Sequence, residues 1–322
     1  MNIFDLKTEE EFNQACLSVF QHQIKNIDVY QAFVNGLKIE IQQIKHYSQI
    51  PFLPIQFFKS HAIIANQSKA EITFTSSGTT GSITSSHFVQ DVSLYQKSYL
   101  KAFNLFYGDI TDWCILALLP NYSERKGSSL IYMVDDLIQK TNHPKSGYFL
   151  HNHQDLQQTL LKLQSTKQKT LLVGVTYALL DFVEQYAIDF PELTVMETGG
   201  MKGKRKEMVR QELHQVLCTG FGIEKIHSEY GMTELLSQAY SKGDGVFNCP
   251  PWMKILIRDT NDPLSLIENG KTGGINVIDL ANQHSCSFIA TQDLGKIIAN
   301  NSFEVLGRFD NSDIRGCNLM VG

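Results

Sequence analysis

Apolar residues recur along the chain in two patterns, short uniform runs and repeats at helical spacing. The uniform runs predict buried strands at residues 113–119 and 171–175. Further strands are predicted at residues 71–75, which alternate and are rich in β-formers, and at 194–197 and 224–227. The repeats predict helices at residues 91–106, from about 129, at 177–186 with Thr176 as the cap, and at about 204–217. Because strands and helices alternate, the pattern predicts parallel β–α units with helices on both faces of a sheet.

The two ends of the chain depart from this alternation. Thr8 and Glu11 form a capping box before a helical repeat, and a second helix is predicted at about 29–44. These helices would form a lid or a buttress, and residues 50–55 an extended approach to the first strand. Short strands separated by turn residues are predicted at 252–258, 274–280, 287–290, 295–299 and 303–306.

The predicted fold class is therefore α/β, with a large, mostly parallel sheet, flanking helices and a small antiparallel β subdomain. We place the boundary after residue 242, so that residues 1–242 form the α/β core with the N-terminal helices. Residues 243–322 form the β subdomain.

Composition narrows the class of protein. The formal net charge of −5 argues against a nucleic-acid coat or a binder of anionic membranes. No apolar run approaches the roughly 20 residues of a membrane helix, and the N-terminus lacks the pattern of a secretory signal. The six cysteines show no C-x-x-C spacing, which argues against a zinc site and favours free thiols in a reducing cytoplasm.

The segment TSSGTTG at residues 75–81 is the strongest candidate for an anion site. Glycines allow close approach of the backbone to a ligand, and consecutive N–H groups can form a nest for phosphate. An ordinary polar hairpin turn is the alternative. Ligands of parallel sheets bind beyond the carboxyl ends of the strands, where this loop, Gly199-Gly200 and the loop after His227 are predicted to meet.

Four segments resemble the motifs of the adenylate-forming superfamily, in the same order. They are TSSGTTG at 75–81, EYGMTE at 229–234, TQDLG at 291–295 and the hinge-like GRFD at 307–310, followed by IRG at 314–316. Within the superfamily the chain is most similar to the acyl-protein synthetase branch, which activates fatty acids in bacterial bioluminescence operons. The PFLP segment at 51–54 and the TGGMKG segment at 198–203 support this.

The resemblance implies an AMP-forming ligase that uses ATP and Mg²⁺ to activate a carboxylic acid, and then forms a carbon–sulfur bond to a thiol. Tyr230, in the segment with Gly231 and Met232, would stack on adenine opposite Gly199 and Gly200. Thr233 would bind the α-phosphate, Glu234 would hold Mg²⁺, Asp293 would accept from the ribose hydroxyls, and Arg308 would contact ribose or phosphate. The β- and γ-phosphates would be bound by Ser76, Ser77, Gly78, Thr79, Thr80 and Gly81.

The sequence departs from the superfamily pattern at two places. Ile83-Thr84 replace the Pro-Lys pair that usually ends the phosphate loop, so that His87 is the nearest potential cation, with Lys202 or Lys204 as other sources. The chain also stops at Gly322, just past the hinge-like motif, so we expect it to lack the superfamily's C-terminal domain.

Cys317 follows Arg315-Gly316 and is the candidate acceptor thiol, because a neighbouring cation can lower a thiol pKa. The resemblance implies acyl transfer through a cysteine near the C-terminus, and an inert tail cysteine is the alternative. The acyl group could instead pass to a partner protein or a carrier. The alternative functions are an acyl-CoA ligase completed by a partner domain and a non-catalytic nucleotide- or acyl-binding relative.

Overall fold

The computed structural model describes residues 2–77, 84–121, 123–199, 205, 208–299 and 302–309. Its strands are β1 Leu53–Pro54, β2 Ile72–Thr75, β3 Ser86–Val89, β4 Cys114–Leu118, β5 Gly147–Tyr148, β6 Thr170–Val175, β7 Thr194–Thr198, β8 His227–Tyr230, β9 Ala239–Ser241, β10 Val246–Asn248, β11 Met253–Arg258, β12 Gly273–Asp279, β13 Phe288–Ile297 and β14 Ser302–Arg308. Its α-helices are α1 Glu9–Asn26, α2 Asp28–Gly36, α3 Phe57–Ser60, α4 Val92–Tyr107, α5 Ser129–Thr141, α6 His153–Ser165, α7 Thr176–Gln185 and α8 Arg210–Phe221.

One large mixed sheet organises the described residues. Its strand order is β11-β12-β13-β14-β10-β9-β8-β7-β6-β4-β5, and β1 pairs in parallel with β13. Strands β4 to β8 pair in parallel, whereas the strands from β9 to β14 pair antiparallel. Strands β2 and β3 form a separate hairpin. The predicted fold class is confirmed. The antiparallel strands extend the same sheet, and the boundary after residue 242 remains a prediction.

The parallel half of the sheet forms where the sequence is most uniformly apolar. Every residue of β4 and of β6 is buried. Helix α5 packs beside β4, with Ser128 as its N-cap and Asn142 in the left-handed conformation at its C-terminal end. Strands covered on both faces favour such runs, since no face needs polar residues for solvent.

Helix α1 is a buttress of the antiparallel half. Thr8 and Glu11 make the predicted capping box. On the buried face, the Phe20 ring packs edge-on against Phe288 of β13, with centroids 6.2 Å apart. Gln23, which is fully buried, donates to the carbonyl oxygen of Asn282 at 2.9 Å. The helix is therefore tied to the sheet by both apolar and polar contacts.

Several element boundaries differ from the prediction. Strand β8 covers His227–Tyr230 where a strand was predicted at 224–227, and α8 covers Arg210–Phe221 where a helix was predicted at about 204–217. Two further differences have local reasons. Helix α2 ends at Gly36 and not near residue 44, because the chain turns at Lys38, which has a φ of 55°. Thr176 is the first residue of α7 and not its cap, because its hydroxyl lies 2.7 Å from the carbonyl oxygen of Gly199.

Strand β13 is a single strand where two were predicted, so residues 291–295 lie inside a strand and not in a turn between two strands. None of the described helices is both long enough and apolar enough to cross a membrane.

Candidate functional site

A cavity of about 1240 Å³ opens at the carboxyl ends of β7 and β8 and extends across to β13 and β14. Ser77, Tyr230 and Asp293 all line it, although they lie far apart in the sequence. Of the predicted site residues, the lining also includes Gly199, Gly231, Met232, Thr233 and Arg308. Outside the described residues lie Gly78, Thr79, Thr80, Gly81, Gly200 and Cys317. The parallel strand ends and the antiparallel strands therefore face one common space.

Tyr230 and Asp293, which both line this cavity, are joined by a hydrogen bond. The Tyr230 hydroxyl donates to Asp293 Oδ2 at 2.9 Å, and each residue is 8% exposed. The ring of Tyr230 packs edge-on against Phe303, with centroids 5.4 Å apart. Arg308 Nε lies 3.2 Å from Asp293 Oδ1, with most of the Arg308 side chain exposed. Burial raises the pKa of Asp293, and the charge of Arg308 and the bond from Tyr230 oppose that rise.

An irregularity in strand pairing places Asp293 on the cavity. Gly274 pairs with Leu294 and Asn276 with Ala290, so residues 291–293 of β13 bulge past a single residue of β12. The carbonyl oxygen of that residue, Ile275, accepts from Thr291 Oγ1 at 2.9 Å. Residues that bulge from a ladder re-aim their side chains.

Arg258 fills the gap that this bulge creates. Its guanidinium donates to the Ile275 carbonyl at 2.7 Å, to Asn276 Oδ1 at 2.9 Å and to the Thr291 carbonyl at 2.5 Å. The residue is 8% exposed, and burial lowers its pKa against the charge of Asp293. Arg258 therefore supplies hydrogen-bond donors to the buried oxygens at the bulge. This role was missed from the sequence alone because no motif marks it.

Thr233 and Glu234 lie in a turn after β8, and Glu234 does not begin a helix. Glu234 is 7% exposed, and burial raises the pKa of its carboxyl against a hydrogen bond with Ser85. Mg²⁺ is commonly held by one or two carboxylates together with substrate phosphates. Glu234 offers a single carboxylate next to Thr233, but Glu234 itself is not among the residues that line the cavity. No group of three His, Cys, Asp or Glu side chains suited to a metal occurs among the described residues.

The hairpin β2–β3 carries both flanks of the phosphate-loop segment. Ser76 Oγ accepts from the Ser85 amide at 2.9 Å, and the Ser76 amide donates to the Ser85 carbonyl at 3.1 Å. Thr75 lines the cavity beside Ser77, and its amide donates to the Gly127 carbonyl at 2.7 Å. The two described flanks are therefore held together by hydrogen bonds, and Thr75 and Ser77 lie on the cavity.

His87 does not point at the cavity as a free cation. It is fully buried, and its ring nitrogens lie 2.8 Å from the Thr233 carbonyl and 3.0 Å from Asn282 Oδ1. Burial lowers its pKa to about 4, although both hydrogen bonds favour the charged ring. The suggestion that His87 supplies the missing phosphate-loop cation is therefore not supported. Lys202 and Lys204 lie outside the described residues.

A polar cluster on the α8 side of the cavity was also missed. Glu197 Oε1 accepts from Ser228 Oγ at 2.8 Å and lies 3.7 Å from His214 Nε2, an ion-pair distance. Burial works against ionisation of Glu197, but His214, Ser228 and the charge of Arg210 hold its pKa below the ordinary value. Gly199, which follows β7, has a φ of 66°, a conformation that glycine adopts without strain.

The opposite wall of the cavity mixes polar and apolar groups. Thr198 Oγ1 donates to Glu229 Oε2 at 2.7 Å. A side chain at Gly231 would place its Cβ 2.3 Å from Glu229 Oε1, so only glycine fits there without displacing Glu229. Leu130, Met133 and Glu229 line both the cavity and a small apolar void of about 20 Å³ behind it. The apolar part of this wall could accept a hydrocarbon chain.

The fold is that of the adenylate-forming acyl-CoA ligases. ATP-bound MatB from Rhodopseudomonas palustris aligns with a TM-score of 0.54 and 17% identity, over 73% of this chain and 47% of that one. An open 2-hydroxyisobutyryl-CoA ligase in complex with 2-HIB-AMP and CoA aligns with a TM-score of 0.70 and 11% identity, over 94% of this chain and 70% of that one. The luciferase-like enzyme of the nonluminescent mealworm Zophobas morio gives a TM-score of 0.54 and 12% identity, over 85% and 62% of the two chains.

The chain belongs to the acyl-protein synthetase family, because the family model "Acyl-protein synthetase, LuxE" matches residues 3–322. The resemblance inferred from the four motifs is thereby confirmed. The chain spans about half the length of MatB, of which it covers 47%. No curated protein matched the sequence in a direct comparison.

Proposed function

We propose that this protein is an ATP-dependent, AMP-forming acyl ligase that activates a carboxylic acid as an acyl-adenylate and transfers the acyl group to a thiol. The observation that carries the proposal is the convergence of three motif segments on one cavity of about 1240 Å³. Small-ligand pockets commonly measure roughly 300–1,000 Å³, so a cavity of this size has room for a nucleotide and an acid together.

The nucleoside would lie between the two halves of the sheet. Tyr230 and Gly199 line the cavity from neighbouring strand ends, where the Tyr230 ring can stack on adenine. Asp293 would accept from the ribose hydroxyls, with Arg308, 3.2 Å away, favouring its ionised form. The hydroxyl of Tyr230 orients that carboxylate, since it already donates to Oδ2.

The phosphates would lie between the hairpin β2–β3 and the turn after β8. Thr233 would bind the α-phosphate. The β- and γ-phosphates would be bound by Ser76, Ser77 and residues 78–81. When bound to Glu234, Mg²⁺ would supply charge neutralisation on the phosphate oxygens. A carboxylate oxygen of the acid attacks the α-phosphorus, and the bond to pyrophosphate breaks. The chain contributes positioning and electrostatic stabilisation.

The acid is proposed to be a fatty acid whose hydrocarbon lies against Leu130 and Met133. These side chains form an apolar wall next to Thr198 and Glu229, and further apolar side chains surround the void behind them. Burial of each methylene contributes about 0.8 kcal/mol, so such a wall would favour a longer chain over acetate.

Cys317 is the proposed acceptor in the second step. Its thiolate attacks the acyl carbonyl carbon, AMP leaves, and a thioester remains. The described cysteines are poor candidates, because burial raises the pKa of each thiol, for example to about 11 at Cys114 and to about 12 at Cys286. A partner protein or a carrier would then receive the acyl group, in the cytoplasm.

Isotopic exchange between pyrophosphate and ATP, measured across aliphatic and aromatic acids, tests the first step. We expect acid-dependent exchange in the wild type and a large loss in Thr233→Ala. Absence of exchange with every acid, in protein that binds ATP by calorimetry, would indicate a non-catalytic relative.

Labelling with radioactive acid and ATP tests the second step. Hydroxylamine-labile label on the protein should vanish in Cys317→Ser while exchange persists. Label that persists in Cys317→Ser would show that another group is the acceptor. CoA-dependent release of AMP by this chain alone would instead indicate an acyl-CoA ligase.

A further inference from the structure

Two residues of the phosphate-loop hairpin, Ser85 and His87, contact the turn that follows β8. Ser85 hydrogen-bonds the carboxyl of Glu234, and a ring nitrogen of His87, Nδ1, lies 2.8 Å from the carbonyl oxygen of Thr233. Residues two apart in an extended chain point to the same side. Ser85 and His87 therefore hold successive residues of the turn from one face of the hairpin.

Asn282 holds the same turn from a third direction. Its Nδ2 donates to the carbonyl oxygens of Glu234 at 2.8 Å and of Cys286 at 2.9 Å. Because both carbonyls accept only, the amide nitrogen must face them, and Oδ1 is left to face His87 Nε2 at 3.0 Å. The orientation of Asn282 is thus fixed by its partners. Both ring nitrogens of His87 then face acceptors, and the neutral ring, which carries one N–H, donates to one of the two according to its tautomer.

These contacts are buried, and neighbouring residues make further contacts with both His87 and Asn282. His87 is 0% exposed and Asn282 is 1% exposed. The carbonyl oxygen of Asn282 accepts from Gln23 Nε2 at 2.9 Å, and the ring of Phe58 packs edge-on against His87 at 5.7 Å. A buried polar group that loses its partner destabilises the fold, so the arrangement resists displacement.

We propose that His87 and Asn282 are positioning residues that fix the Thr233–Glu234 peptide against the phosphate-loop hairpin. This inference rests on the proposed function. The hairpin and the turn would act on different phosphates of one ATP molecule, and His87 joins them without contacting the nucleotide. Misplacement by about 1 Å can reduce an enzyme's rate by roughly 10²-fold, which is why such a link would matter.

His87→Phe removes both ring contacts and keeps an aromatic ring in the space. We expect kcat for pyrophosphate exchange to fall by roughly 10- to 100-fold, while KM for the acid stays close to the wild-type value. His87→Asn should restore most of kcat, because its amide nitrogen can take the place of Nδ1 and donate to the Thr233 carbonyl. Asn282→Ala is a second disruptive variant, which serves if His87→Phe does not fold.

Phe58→Leu is the matched control, since it loosens packing on the same ring and removes neither hydrogen bond. It should lower the melting temperature and leave kcat near the wild-type value. A positioning role is contradicted if His87→Phe keeps wild-type kcat, or if His87→Asn is no better than His87→Phe.

Hydrogen exchange provides a readout that does not depend on turnover. Peptides covering residues 231–236 should lose amide protection in His87→Phe and in Asn282→Ala but keep it in Phe58→Leu. Unchanged protection in both disruptive variants would overturn the inference even if the wild type is active. Lost protection in both disruptive variants, together with a wild type that shows no pyrophosphate exchange with any acid, would instead refute the proposed function alone.

Discussion

The two halves of the large sheet contribute to the cavity in different ways. In the parallel half, Gly199 and Tyr230 lie where β7 and β8 end, the position that topology gives to ligand sites in such sheets. In the antiparallel half, Asp293 lies inside β13, and a bulge turns it toward the cavity. The placement of Gly199 and Tyr230 follows from the order of strands and helices. The placement of Asp293 depends on the bulge in β13 and on Arg258, which fills it.

The largest expected effect concerns the parallel half. Glu234→Gln keeps the shape of the side chain but removes the charge proposed to hold Mg²⁺. We expect pyrophosphate exchange to fall by about 10³-fold, because a charged group aimed at developing charge makes a large contribution to the rate. Ser85→Ala is the control, since it removes a hydrogen bond and keeps the carboxylate. Equal losses in the two variants would assign Glu234 a structural role.

The next effect concerns the bulge in the antiparallel half. Arg258→Leu would remove the guanidinium donor from buried oxygens of Ile275, Asn276 and Thr291, of which the Ile275 carbonyl keeps Thr291 Oγ1 as a second donor. We expect the free energy of unfolding in denaturant to fall by about 3 kcal/mol or more. Arg210→Leu, which loses one hydrogen bond of 3.3 Å to the Gly245 carbonyl and a cation–π contact with Phe247, should cost about 1 kcal/mol. Equal costs would contradict the role of Arg258 at the bulge.

Asp279 joins the two halves and gives a pH-dependent prediction. It ends β12, and its carboxylate accepts from the Leu236 amide at 2.7 Å and the Ser237 hydroxyl at 2.6 Å. Burial raises its pKa to about 6, from 3.8. Because the folded pKa is raised, its contribution to stability is present below about pH 4 and is lost as the pH rises through about 6.

Asp279→Asn removes this titration. The difference in unfolding free energy between wild type and variant should therefore shrink by roughly 2–3 kcal/mol between pH 4 and pH 7. Denaturant titrations of both proteins at the two pH values measure it. A difference that grows with pH would mean that the hydrogen bonds donated to Asp279 by Leu236 and Ser237 outweigh its burial.

The smallest effect is expected at the hydrogen bond between Tyr230 of the parallel half and Asp293 of the antiparallel half. Tyr230→Phe keeps the ring but removes the bond of 2.9 Å to Asp293. The loss should be about 1 kcal/mol, seen as a roughly fivefold rise in KM for ATP with little change in kcat. Tyr230→Ala, which also removes the ring, should raise KM for ATP much further. A similar rise in both variants would argue against stacking.

The sequence predicted the parallel half well, because β4 and β6 are uniformly apolar and helices separate them. It misassigned β13, since Thr291, Gln292 and Asp293 interrupt the apolar pattern and suggested a turn between two strands. No local signal connects Arg258 to a bulge more than thirty residues later in the chain. The motif residues were found by resemblance, whereas the pairing of Glu197 with His214 depends on contacts between β7 and α8 that no motif records.

The most direct measurement is a crystal structure with a non-hydrolysable acyl-adenylate analogue, in which a sulfamoyl group replaces the α-phosphate. We predict adenine between Tyr230 and Gly199, the ribose hydroxyls on Asp293, and the acyl chain along Leu130 and Met133. An analogue bound outside this cavity, or one with its ribose turned away from Asp293, would contradict the account.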